Sequence, residues 1–349
     1  MVEQANGVVR GGINTRCAFR LDVRMPTPTP TPQQIPQCGV RPSIYIVGAV
    51  EQDRRLKLTG LSPDSAPIDV QIMGTNDASF VTNGSTVADS FGTWVYTTTV
   101  LAQDGRYQLR AMSRGLYSEN DLFYTMASQR SGLNVGGFRA GVGGYSGVDD
   151  TYINQRAPSA SYGKSVTVTV RSEDETDPLA AFDLSTIPAN ARVVMAKLGL
   201  YSMDAEPCTK MVASSFQLLR TWDPDHATWI SATEAISWTI PGANEPALDR
   251  YGEPTYTETV RAPYTWYTWD VTSMAQNWVA NPSSNFGVIV KAWTFGGEVI
   301  HADNKLDQPA VVLQQQPLVN GIGGRRDFAS SEYPVLQRRP VLYVTYVIP

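Results

Sequence analysis

The side chains that could do chemistry are few and scattered. His226 and His301 are the only histidines, and neither sits in an HExxH word or beside a cysteine pair. A zinc site built from His and Cys therefore has no ligand set. Carboxylates gather at Asp149 and Asp150, at Glu173, Asp174, Glu175 and Asp177, and at Asp303 and Asp307. None of these follows the spacing of the EF-hand loop. Acidic turns are ordinarily just solvated; the reading that gives them a task is a structural calcium held by Asp150 and Glu332. A glycosidase needs two carboxylates facing each other across a cleft, about 5–9 Å apart, and no pair is singled out. There is no GxSxG elbow to expose a serine nucleophile. The chain reads as a non-enzyme, with no cofactor beyond that calcium.

Aromatic rings offer a different chemistry, stacking on the apolar faces of sugars. The candidates are Trp222, Trp229 and Trp238, then the run TWYTWD, with Trp266 and Trp269. In an extended strand Tyr267 and Trp269 share one face and Trp266 lies on the other. One face is then left less buried for a glycan, unless a multi-domain body covers both.

The elements that must position these residues are strands. The 349 residues are 42% hydrophobic and 17% charged, with 28 glycines and 23 prolines. Together with abundant Thr, Val, Tyr and Trp, that mixture favours strands punctuated by turns. A formal charge of −5 is far from the basic footprint that nucleic acid requires, so no nucleic-acid partner is expected. No apolar run reaches the length of a spanning helix, and the opening MVEQANGVVRGG lacks the pattern of a secretory signal. Cys17, Cys38 and Cys208 leave two readings open, a Cys17–Cys38 disulfide or idle thiols.

Residues 1–37 read as an arm. CAFRLDVRM at 17–25 alternates Phe19, Leu21 and Val23 with charged residues, a strand that must find a partner sheet. The run PTPTPTPQQIPQ that follows favours a stiff polyproline II spacer. Residues 38–127 read as a first sandwich. Its words Gly92, Trp94 and Tyr96, then Asp104, Gly105, Tyr107, Leu109 and Ala111, resemble the immunoglobulin-like repeats of bacterial surface proteins, which implies a spacer domain. Asn83–Gly84 and Asp104–Gly105 read as tight turns. Residues 128–148 are glycine-rich but match neither phosphate-loop pattern, and read as a linker.

Residues 149–349 carry a longer set of words. Asp150, Tyr152, Ile153, Pro158, Tyr162 and Gly163 open it; FDLSTIPANARVVMAKLGLY follows at 182–201. Trp222, Thr228 and Trp229, then Asp270 to Thr272 with Trp278, then Asn285 and Gly287, and Phe328 to Tyr346 complete it. This region resembles the DNRLRE, disaggregatase-related modules, which include carbohydrate-binding members. The resemblance implies an extracellular, non-catalytic jelly-roll-like sandwich, with some relatives binding acidic polysaccharide. Ala181 stands where the family usually has arginine, and the loops at 205–221 and 294–327 are long for the pattern. Within it, DVTSMAQNWV predicts a short helix capped by Asp270 or Thr272, with Met274 and Trp278 on one side and a stop at Asn281–Pro282.

The expected protein is all-β: tandem sandwiches, immunoglobulin-like then jelly-roll-like, behind an extended proline-rich arm. The expected role is a structural subunit of an extracellular filament, appendage or virion fibre. Copies of itself or other structural subunits are its partners, joined through Phe19, Leu21 and Val23. The alternative is a polysaccharide-binding or adhesion module on a cell or phage surface.

Overall fold

The computed structural model describes residues 43–119, 121–127, 132–172, 176–205, 211–260, 262–294 and 324–349. The arm over 1–37, with Phe19, Leu21 and Val23, and all three cysteines lie outside them. The described chain is predominantly β, organised into several sheets that form two sandwich-like bodies in tandem.

The first body holds β1 (Tyr45–Gln52), β2 (Arg55–Leu61), β3 (Pro67–Gly74), β4 (Val81–Val87), β5 (Thr93–Thr97), β6 (Gly105–Ser113), β7 (Leu116–Tyr117) and β8 (Leu122–Met126). One sheet has the order β1-β2-β5; the other runs β4-β3-β6-β7, with β8 also on β6. Period-two alternation explains the packing. In β2, Leu56 and Leu58 are buried between exposed Arg55 and Lys57, and in β3 Ile68, Val70 and Ile72 point the same way. They close on Ile46, Trp94, Leu109 and Ala111. Gly60 allows that closure, because a Cβ there would fall within the indole of Trp94. Asn83–Gly84 is not a turn: it lies inside β4 at a register shift. The Asn83 amide is used instead as a clamp, accepting from Tyr96 Oη at 2.9 Å and Thr99 N at 3.0 Å.

The second body begins earlier than the domain words suggest. Its strands are β9 (Asn134–Phe138), β10 (Val148–Asn154), β11 (Thr167–Arg171), β12 (Thr176–Phe182), β13 (Arg192–Ala205), β14 (Met211–Gln217), β15 (Tyr256–Val260), β16 (Trp266–Asp270), β17 (Val288–Thr294), β18 (Arg325–Ala329) and β19 (Val341–Val347). The main path is β15-β14-β17-β12-β11-β18-β13-β19-β9, with β10 on β12 and β16 on β13. Residues expected to be a linker thus supply β9, which pairs with β19 from Asn134 opposite Tyr346 to Phe138 opposite Leu342. Glycine suits that place because a Cβ on Gly137 would sit 3.1 Å from the Tyr343 ring.

The long strand β13 organises this body, pairing with β16 and β19 along most of its length and with β18 at its end. Its core includes Val168, Val170, Leu198, Leu200, Trp269 and Phe328. The single α-helix among the described residues, α1 (Thr272–Ala280), buries Met274, Ala275, Trp278 and Val279. Its N-cap is Val271, without a side-chain cap. Asp270 Oδ1 accepts from Thr272 N at 2.9 Å, and Thr272 Oγ1 is occupied by Ala196 N, so neither anticipated residue caps it.

The two bodies pack directly. Tyr45, Val47 and Leu61 from the first share a cluster with Tyr201, Trp266 and Val341 from the second. Ala49 N donates to Thr345 Oγ1 at 3.2 Å, and Arg338 reaches Asp64 at 3.6 Å.

Candidate functional site

The ring platforms expected on TWYTWD are absent, because β16 is covered on both faces. Trp266 and Trp269 are each 0% exposed. Trp269 donates to Ala213 O at 2.9 Å and meets Phe328 edge-on, inside the core. Trp266 turns the other way, donating to Phe91 O at 2.8 Å in the first sandwich. Trp229 and Trp238, in the 219–255 loop, are buried in a satellite cluster with Ile153, Leu179 and Ile289. Trp222 is half-buried, its Nε1 donating to Phe286 O at 2.8 Å. Stacking on Trp229, Trp266 or Trp269 is therefore excluded by burial, and Trp222 keeps only part of its ring accessible.

A partly accessible aromatic pair lies elsewhere on this body. Tyr152 and Tyr162 stack with centroids 4.1 Å apart and planes 17° from parallel, both half-buried. Tyr152 lines a cleft of about 220 Å³ where β10 and β12 meet β11 and β18. Register brings the walls together: Asn154 lies opposite Thr176, Thr176 opposite Arg171, and Arg171 opposite Arg325. Arg156 completes the lining from the turn after β10, where its N donates to Asn154 Oδ1 at 2.9 Å.

The electrostatics are fixed by a small network at the β18 edge. Arg325 holds Asp327 through two contacts, 3.0 Å from Nε and 2.8 Å from Nη2. Thr169 Oγ1 donates to the same carboxylate at 2.6 Å. Burial, the neighbouring Tyr162 and Asp327 push the Tyr152 phenol up to about 12, against the opposing pull of Arg325. Tyr152 thus stays a neutral donor at physiological pH. The cleft is lined by the Tyr152 ring and phenol, the Asn154 amide, the buried Thr169 and Thr176, and the side chains of Arg156, Arg171 and Arg325, the last paired with Asp327.

The expected calcium ligands do come together. Asp150 accepts from Ser331 N at 2.7 Å, and the Ser331 hydroxyl lies 3.0 Å from both Asp150 Oδ1 and Glu332 Oε1. Burial, then the charge of Glu332, pushes the Asp150 carboxyl up to about 7. Nearby, Lys164 pairs with Asp225 at 2.8 Å and His226 with Asp223 at 2.8 Å. Among the described residues no group of three or more His, Cys, Asp or Glu could hold a metal ion.

A β-sandwich with a cleft lined by one tyrosine ring and several planar polar groups is compatible with a carbohydrate-binding module. Residues 144–315 match the family model described as carbohydrate-binding module family 96. The C-terminal region thus contains a carbohydrate-binding-module-like domain, a non-catalytic class, which favours the polysaccharide-binding alternative over the filament subunit. No curated protein matches the chain. One solved structure, "The 2.6A structure of Infectious Bursal Virus Derived T=1 Particles", aligns with 88% of this chain at 11% identity and a TM-score of 0.13. The alignment spans 60% of that chain; a likeness this low bears on neither fold nor function. Among the described residues no helix is long and apolar enough to cross a membrane.

Arg156, Arg171 and Arg325 were missed in the sequence because no word joins them. The signal that was present is Tyr152 followed by Tyr162, two of the residues that carry the family resemblance.

Proposed function

We propose that this protein is a non-catalytic polysaccharide-binding module displayed on a cell or virion surface, and that the Tyr152 cleft takes an anionic chain. The observation that carries the reading is the stacked Tyr152–Tyr162 pair beside Arg156, Arg171 and Arg325. A sugar ring presents an apolar face suited to an aromatic platform. A uronate carboxylate or a sulfate matches the planar fork of arginine, which bonds such groups in pairs. The family match over 144–315 supports a carbohydrate ligand.

The test is electrophoresis through gels containing polysaccharide. Retardation by a polyuronate or sulfated glycan, absent with a neutral glucan and reduced in Tyr152→Ala, is the expected result. Equal mobility in every gel removes the proposal, and retardation by the neutral glucan alone removes its anionic half.

A further inference from the structure

Lys291 and Asp177 form an ion pair sealed inside the second sandwich. The ammonium lies 2.7 Å from Asp177 Oδ2, and the two side chains are 1% and 0% exposed. A second Nζ proton is donated to Gly242 O at 2.9 Å, and the Trp229 ring lies 5.9 Å away. The pair also has a defined place in the sheet. Strands β12 and β17 share only two register pairs, Leu179 with Ile289 and Ala180 with Val288. Continuing that register by two residues sets Asp177 opposite Lys291 and on the same face as Leu179 and Ile289. The side-chain contact therefore prolongs the seam where the backbone ladder has ended.

We propose that Lys291 and Asp177 close into an intramolecular amide, a covalent staple between β12 and β17. The step begins with a proton passing along the hydrogen bond from Nζ to the carboxylate, in a site where both side chains are sealed from water. The amine so formed is a nucleophile, held 2.7 Å from Oδ2, the oxygen bonded to the carbon it attacks. Nζ bonds to Cγ and one Cγ–O bond breaks. The departing oxygen leaves as water with two protons, the one already passed to the carboxylate and the one the amine loses on forming the amide. Ammonium and carboxylate become amide plus water, so charge balances and no oxidant or reductant enters. The Gly242 carbonyl orients Nζ, and the amide N–H that remains can keep that partner.

Sequence supplies an unusual control. Asp177 is followed by Pro178, whose nitrogen has no proton, so loss of water at Asp177 cannot come from a cyclic imide with the next residue. The test is the intact mass of the denatured full chain, followed by digestion. A chain one water lighter than its sequence is expected, with a branched peptide joining the Asp177 and Lys291 segments. Lys291→Arg, which keeps the charge, and Asp177→Ala are each expected to restore the full mass. An unmodified chain of full mass overturns the staple, and so does a water loss that persists in Lys291→Arg.

Discussion

Trp266 Nε1 of β16 donates to the Phe91 carbonyl of the first sandwich at 2.8 Å, while the edge of its ring meets Tyr201, centroid to centroid at 5.3 Å. Gly92 beside it, at φ +77°, has only 3.1 Å between a built Cβ and the Trp266 ring. The guanidinium of Arg139 lies 5.4 Å from that ring, itself buried. This contact makes one body of two sandwiches. The residue that most resembled a glycan platform is the tenon of an internal joint.

Removing it should therefore injure the fold, not ligand recognition. Trp266→Ala is expected to cost about 3–5 kcal/mol, the range for emptying a buried aromatic site. Urea unfolding followed by tryptophan fluorescence reads this out. A variant within about 0.5 kcal/mol of the parent would mean the joint carries little of the stability.

The long connection between β14 and β15 is pinned at Asp249. Asp249 is 0% exposed and accepts from Thr239 N, Ile240 N and Glu245 N at 3.0, 3.1 and 3.3 Å, with Arg220 Nε at 3.2 Å. One carboxylate thus satisfies backbone donors from separate turns of the loop. Asp249→Ala leaves those donors and Arg220 without it and is expected to cost about 3 kcal/mol. Limited proteolysis should then cut within 219–255 first; protection equal to the parent contradicts the pinning role.

The pH dependence follows from two buried carboxyls. Asp150 is pushed up to about 7 by burial and Glu332, and Glu258 to about 8 by burial and Glu119. Tyr45 also faces Glu258 from the first sandwich, and Lys197 faces it from β13. Both folded values exceed the unfolded ones near 4, so the folded state holds its protons longer. Their contribution is complete below about pH 4 and is lost as pH rises through 7 to 8. Melting temperature should fall across that window, and Asp150→Asn and Glu258→Gln should each flatten the fall. Calcium that restores stability above pH 7 in the parent but not in Asp150→Asn would place the ion at Asp150 and Glu332.

Much of the scaffold was legible. Trp94 and Tyr96 fall on β5 and Tyr107, Leu109 and Ala111 on β6, and Asn281–Pro282 marks the end of α1. Local pattern failed where distant packing decided the outcome. Alternation in TWYTWD promises one open face, but a second body lies against it. Asn83–Gly84 has turn chemistry, yet its side chain is claimed by Tyr96 and Thr99. The cleft was hidden because Tyr152, Arg171 and Arg325 meet only through the register of β10, β12, β11 and β18.

Salt should expose the character of the ligand. If an anionic chain pairs with the guanidinium groups, Arg171→Gln should weaken binding about tenfold at low ionic strength, the scale of one charge-assisted hydrogen bond. The gap should narrow as salt screens the pairs. A gap unchanged by salt points to arginines that act by packing alone.

The most direct measurement of the central claim is calorimetric titration of the full chain and of Tyr152→Ala with a defined anionic oligosaccharide. Heat of binding in the parent, lost in Tyr152→Ala while its melting temperature holds, is the predicted result. Undiminished binding by Tyr152→Ala would contradict the assignment of this cleft.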